Sequence, residues 1–323
     1  MRAPQAASDE LPAVLSVGIF CVDILVRPVP AFPPPGGLVL VDEYDVQTGG
    51  CANNCAIALA RLGVSVAAVG RLGNDRFGDL IVSDLRANGV RTSFLVRDPA
   101  ARTAMSVVLV NERGERSFVH HRGATVNLSA ADVPRPLPAL RALHVGGAFL
   151  LPSLDGEGLA LLCHSAQEQG LLTFVDTAVD GRGNPMAVIA PALPYIDYLL
   201  PSEAEALGMT GAEDPQAMAA RLLAQGARAV CIKLGERGCY CAGPGEAGFV
   251  PAYDVPVVDT CGAGDTFTAG FIAGVLAGKG LMAAAQLANA VGAMCVMSLG
   301  ATAGIGSWEE TQRFMATTPL RTR

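Results

Sequence analysis

The sequence is poor in charge and in aromatics: 16% of its 323 residues are charged, 5% are aromatic, and there is one Trp. It has no run of five basic residues and no basic tail, since Arg113 to Arg116 has acids interleaved or adjacent. Twenty-three Lys and Arg against thirty Asp and Glu leave a net charge of −7. Binding along a phosphate backbone demands a basic face, so nucleic acid is excluded as a partner. Nine cysteines, at 21, 51, 55, 163, 231, 239, 241, 261 and 295, contain no CxxC pair of the zinc type. They read as buried reduced thiols, which places the chain in the cytoplasm. There is no repeat of 20 to 50 residues, which sets solenoids aside.

Two apolar stretches imitate membrane signals and lack what those signals need. Leu11 to Val22 follows Asp9 and Glu10 where a positive region belongs, and Asp23 closes it without a small-residue cleavage site. It reads as a buried first strand. The segment 280–308 has no charge and exceeds the roughly 20 residues that span a bilayer. Gln286, Asn289 and Ser298 interrupt it, and Gly300, Gly304 and Gly306 break it, so it reads as a buried helix followed by a glycine-rich loop. No membrane partner is expected.

What is present is 51% hydrophobic residues, ample for a core. At about 150 residues per domain the length suits one large domain or two; one domain over 11–323 is expected, with 1–10 a disordered tail. Residues 13–18 read as a strand, Gly49-Gly50 opens a helix to Leu62 that Gly63 ends, and strand 64–70 and helix 76–88 follow. Residues 38–48, 103–110 and 116–121 alternate as exposed strands, the last two joined by a hairpin with Gly114 at its turn. They form a small antiparallel flap, within about 24–48 and 92–122. After Ala124 the rhythm is strand then helix: strands 142–145, 172–176, 195–200 and 229–233, with helices 156–169 and 215–225. This predicts an α/β fold, a mostly parallel sheet with helices on both faces. Ligands then sit at the carboxyl ends of the strands, where Asp23, Asp176, Ser202 and Gly235 fall.

The segment Asp259-Thr260-Cys261-Gly262-Ala263-Gly264-Asp265 precedes an apolar helical pattern. Two glycines permit a tight turn whose amides converge on one point, and the helix beginning there adds the positive end of its dipole. Amides that neutralise phosphate charge, beside a carboxylate able to take a proton from an attacking hydroxyl, make a phosphoryl-transfer constellation. The plain reading is a turn with an aspartate near the helix start.

This segment resembles the second signature of the ribokinase-like, or PfkB, carbohydrate kinases, and the likeness extends over about 14–308. It implies that Asp265 is the catalytic base, with the amides of Gly262, Ala263 and Gly264 as its anion hole. Gly49-Gly50-Cys51-Ala52-Asn53-Asn54 resembles the first signature, so Asp23, Gly49, Gly50 and Asn54 are expected to hold a sugar under the lid formed by the small sheet. Ile232-Lys233-Leu234-Gly235-Glu236-Arg237-Gly238 resembles the family's strand and turn beside ATP, which implies nucleotide contacts from Lys233, Gly235, Gly238 and Asn289. Ser202 stands where the family has asparagine and is carried as a nucleotide ligand. Glu205 is expected to act on Mg²⁺ through water, since such metals are held through few protein ligands. In many relatives a monovalent cation sits behind the anion hole, which assigns Asp259 and the loop 300–306 to K⁺.

Two departures argue against ribose: Cys21 stands where ribokinases have asparagine, and Gly146 to Leu150 is apolar where they have glutamate. Arg122 is a candidate partner for a substrate carboxylate or phosphate. His120 and His121 are too close in sequence to read as a metal site. The expected activity is transfer of the ATP γ-phosphoryl group to a sugar hydroxyl, with a homodimer through the lid. A nucleoside kinase of the same fold and a silent sugar-binding regulator are the alternatives.

Overall fold

Val14–Gly18 is buried along its whole length, as a strand covered on both faces must be, and forms β1. The computed structural model describes residues 12–113, 115–135, 140–178 and 183–322, so the expected tail 1–10 and hairpin residue Gly114 lie outside the described residues. In chain order there follow β2 (Cys21–Arg27), β3 (Glu43–Gly49), α1 (Cys51–Arg61), β4 (Val66–Gly73) and α2 (Arg76–Ala87). Next come β5 (Arg91–Asp98), β6 (Ala104–Val110), β7 (Arg116–His121), β8 (Ala142–Ala148), α3 (Glu157–Glu168) and β9 (Leu172–Thr177). The chain continues through α4 (Pro185–Ile189), β10 (Tyr198–Leu199), α5 (Glu203–Thr210), α6 (Pro215–Ala224), β11 (Ala229–Lys233), β12 (Cys239–Gly243) and β13 (Glu246–Val250). Three helices end it: α7 (Ala263–Leu276), α8 (Leu281–Val296) and α9 (Trp308–Thr317).

Nine strands pair in the order β13-β12-β11-β10-β9-β8-β1-β4-β5. All neighbours from β11 to β5 run parallel, and β12 and β13 add an antiparallel edge. One face packs Ile57, Leu85, Phe174 and Phe271 with α1, α2 and α7; the other packs Leu15, Leu162, Met218 and Leu222 with α3 and α6. The sheet is therefore covered on both sides, as expected for parallel strands. Among the described residues no helix is long and apolar enough to cross a membrane.

A second sheet has the order β3-β2-β6-β7. Its outer pairs are antiparallel and its central pair, β2 with β6, is parallel. The sequence boundaries of this sheet need correction. Asp23 does not follow β1 in a loop but lies inside β2, and Arg91–Asp98 is an edge strand of the large sheet. Residues 38–42 are not strand: Leu38 and Leu40 are each 83% exposed, so their alternation buries nothing. The expected strand 195–200 shrinks to Tyr198–Leu199 because Pro194 places the preceding residues in a 3₁₀ turn.

Candidate active site

The glycine turn before α7 is fixed by sterics as much as by hydrogen bonds. Gly262 has φ +74°, and a Cβ there would lie 2.4 Å from the Ala301 carbonyl oxygen, so only glycine fits between the turn and the loop behind it. The Ala263 N–H closes the turn on Thr260 O at 3.3 Å, while those of Gly262 and Gly264 have no hydrogen bond among the described residues. Of the three expected amides, two are therefore free and the third is weakly engaged. Such orphan donors at a helix start attract an anion. Asp265, in the first turn of α7, accepts a hydrogen bond from Asn54 Nδ2 at 2.7 Å, across 211 residues. Burial pushes the Asp265 carboxyl above the usual range, against the pull of the Asn54 amide and the Lys233 charge.

Gly49 ends β3, and Gly50, with φ +101°, starts α1. A Cβ on Gly49 would lie 2.2 Å from Asp23 Oδ2, and one on Gly50 would lie 2.4 Å from Ile19 O. Both glycines thus let β3 and α1 close onto Asp23 and the end of β1. Asp23 accepts from Cys21 Sγ at 3.6 Å, and burial raises its pKa against the hydrogen bonds of Ser106 and Cys21. Beneath them β1 and β8 meet backbone to backbone, since a Cβ on Gly18 would lie 2.0 Å from Gly146 O. Just past β8, Phe149 holds φ +84°, the one non-glycine residue with positive φ among those described. Strain of this kind concentrates at functional sites, and Asp155 Oδ1 accepts the Phe149 N–H at 3.0 Å.

At the ends of β9 and β11, Lys233 Nζ donates to Asp176 Oδ1 at 2.5 Å, and Thr268 Oγ1 donates to Asp176 Oδ2 at 3.2 Å. Burial opposes the Lys233 charge, but Asp176, Glu205 and Asp265 outweigh it and hold the ammonium protonated. Burial lifts Asp176 to about 7 despite the pull of Lys233. Glu205 Oε2 accepts both the Ser202 N–H and the Thr177 hydroxyl at 2.7 Å. Ser202 in turn caps α5, so these two residues form a capping box. Three carboxylates converge on a single ammonium here.

Lys233, Gly235, Gly238, Asn289, Ala263 and Gly264 line one cavity of about 430 Å³, whose other walls include Tyr253, Val255, Val257 and Phe267. Gly238 has φ +90°, and a Cβ there would meet Val250 O at 2.1 Å. Asn289 Nδ2 donates to the carbonyls of Val250 and Pro251, each at 3.1 Å, so its amide braces the cavity wall. Ser202 is not among the lining residues; it sits across an isolated parallel bridge from Lys233. Arg122 is exposed just beyond β7, and its charge reaches His120.

Asp259 is 2% exposed and lies behind the turn. Its Oδ1 accepts from the Arg116 guanidinium and from the Cys261 N–H at 2.6 Å, and its Oδ2 accepts from the Gly300 N–H at 2.9 Å. Asp259, the expected residue for a monovalent cation, therefore already carries a guanidinium and two backbone N–H groups. Sequence reasoning missed Arg116 in this role, and nothing local to Arg116 signals it. It also gave no role to Asp176, whose place after a strand was the one available hint.

Residues 12–308 match the family model described as "pfkB family carbohydrate kinase". The chain is 31% identical to the ribokinase of Bacillus subtilis, over 88% of this chain and 93% of that protein. It is 30% identical to the 2-dehydro-3-deoxygluconokinase of the same organism, over 87% and 90%. Among solved structures it is similar to a putative ribokinase II in complex with ATP and Mg²⁺ from E. coli, with a TM-score of 0.80 and 25% identity over 95% of this chain and 99% of that one.

Proposed function

The chain belongs to the pfkB family of carbohydrate kinases and is an ATP-dependent sugar kinase; from that premise we infer which of its residues carry the reaction. Asp265 takes the proton from the acceptor hydroxyl as it attacks the γ-phosphorus. The amides of Gly262 and Gly264, with the dipole of α7, take up the charge on the transferred group. The observation that carries this reading is the 2.7 Å bond from Asn54 to Asp265, which joins the two glycine-led helix starts at one carboxylate.

Asp23, Gly49, Gly50 and Asn54 hold the sugar, a polyol suited to paired carboxylate and amide groups. ATP occupies the cavity lined by Lys233, Gly235 and Gly238, its phosphates directed at Gly264. A Cβ on Gly264 would be 3.4 Å from Lys233 Nζ, so the ammonium stands beside the amides. Asp176, Glu205 and Asp265 exceed Lys233 in charge, a donor set that fits Mg²⁺, with Glu205 contributing through water; when bound, the ion neutralises polyphosphate charge. Cys21 and the apolar run that begins in β8 disfavour ribose itself, and Arg122, exposed just beyond β7, is our candidate partner for an acidic group on the sugar.

A nucleoside acceptor is disfavoured because Tyr44 and Phe118, the aromatics available on the small sheet, are 77% and 59% exposed. A silent regulator is disfavoured by the intact base and glycines. The exposed Tyr44, Val46, Phe118 and Val119 support dimerisation through this sheet, and nine free thiols support a reducing cytoplasm. The test is ADP release with Mg²⁺ across ketoses, aldoses, sugar acids, sugar phosphates and nucleosides. One strong sugar responder is expected, and a response to nucleosides alone would overturn the acceptor assignment.

A further inference from the structure

The loop behind the glycine turn is held by two arginines from elsewhere in the fold. Arg116 opens β7 on the small sheet and pairs with Asp259, with 16% of its own side chain and 1% of the aspartate's exposed. A buried carboxylate needs a partner of opposite charge, and Arg116 is that partner. Arg61, at the end of α1, donates through Nη1 to the Thr302 carbonyl and through Nε to Asn88 Oδ1 at 3.1 Å. The Ala301 carbonyl accepts from Cys295 Sγ at 3.2 Å and packs against Gly262. Within the segment assigned to a monovalent cation, Asp259 and the carbonyls of 301 and 302 thus each already face a donor of this chain, and on Asp259 that donor is itself a cation.

We propose that Arg116, assisted by Arg61, is the resident cation of this enzyme: it fixes Asp259 and the Gly262 turn, so that turnover requires no monovalent metal ion. A guanidinium delivers charge together with directed N–H donors, and a second cation on the same carboxylate would be repelled. Arg116 acts through Asp259 and is a positioning residue. Because it belongs to the small sheet, seating that sheet also seats the turn. Gln47 of β3 adds a second contact, its side-chain amide lying against Gly300. The inference rests on the kinase reading for its activity measurement but not for its thermal one.

The experiment compares KCl with tetramethylammonium chloride at equal ionic strength. For the wild type, sugar-dependent ADP release is expected to agree within about two-fold between the two salts, and melting temperatures to coincide. Arg116→Ala is expected to lower kcat by about ten-fold or more and to recover with KCl alone, with a K⁺-specific rise in melting temperature. Arg116→Lys, which keeps the charge, is expected to stay K⁺-independent. Activation of the wild type by K⁺ beyond two-fold, a K⁺-specific stabilisation of it, or full activity of Arg116→Ala without K⁺ would each overturn the proposal. If Arg116→Ala does not fold, the wild-type melting comparison still decides. If no sugar turns over, the kinase reading fails while that comparison continues to test the cation.

Discussion

Lys233 and Asp176, at the carboxyl end of the large sheet, pair at 2.5 Å with 13% and 2% of their side chains exposed. Arg27 and Glu43, on the small sheet, pair at the same 2.5 Å with 45% and 62% exposed. Equal geometry does not mean equal worth. In water the second pair contributes about 0–1 kcal/mol, whereas breaking the first strands a buried charge. The large sheet assembles charge where solvent is scarce, whereas at Arg27 and Glu43 the small sheet keeps its charge in water, as it does the apolar side chains of Tyr44, Phe118 and Val119. The first arrangement suits chemistry, and the second suits a cover that meets other molecules.

The largest effect should fall on the chemical step. Asp265→Asn is expected to lower kcat about 10³-fold with little change in melting temperature. It should also remove the acid limb of the pH profile. In the wild type that limb lies above the ordinary aspartate range, because the carboxyl pKa is raised and the base is lost as pH falls through it. Near-normal turnover in Asp265→Asn would refute the mechanism.

The comparison of ion pairs is sharpened by Lys233→Met against Arg27→Met. Chemical denaturation should show a loss of about 3–5 kcal/mol for the first and under about 1 kcal/mol for the second; equal losses would erase the distinction. Asn54→Ala removes a hydrogen bond to a charged group and should cost about 1.5–3 kcal/mol in kcat/KM, read from initial rates.

Acid should destabilise the large sheet through His144, fully buried between strands, where burial lowers its pKa to about 3. The unfolded chain binds this proton below about pH 6.5 and the folded chain does not. Stability therefore falls as pH drops from about 6.5 toward 3, by roughly 1.4 kcal/mol per pH unit, and denaturation curves at pH 6 and 5 would measure it. The smallest effect is expected on the small sheet: Phe118→Ser should leave kcat unchanged while shifting sedimentation toward the monomer. Unaltered sedimentation of a dimer would place the interface elsewhere.

The elements with local signals were legible in the sequence. Strand 229–233 and the start of α2 at Arg76 agree with the structure to the residue, and the glycine turn could be read because its donors and carboxylate are contiguous. What escaped depends on distance along the chain. Arg116 and Asp259 are 143 residues apart and Lys233 and Asp176 are 57 apart, and no periodicity encodes such meetings. Cys21–Arg27 was hidden for another reason: its apolar residues continue the pattern of β1, so the change of sheet between Gly18 and Cys21 leaves no mark in composition.

The contact of Gly18 with Gly146 has a consequence for how this protein can vary. A Cβ on Gly18 would lie 2.0 Å from Gly146 O, and one on Gly146 would lie 2.9 Å from Ala52 N, so neither strand end can acquire a side chain without moving β8 away from β1 or from the start of α1. Single substitutions there are expected to be all-or-none, which closes that surface to gradual change. New acceptor preferences must then arise at positions that carry side chains around it, such as Cys21, Phe149 and Arg122. Libraries that randomise those three while leaving both glycines untouched should yield the folded variants.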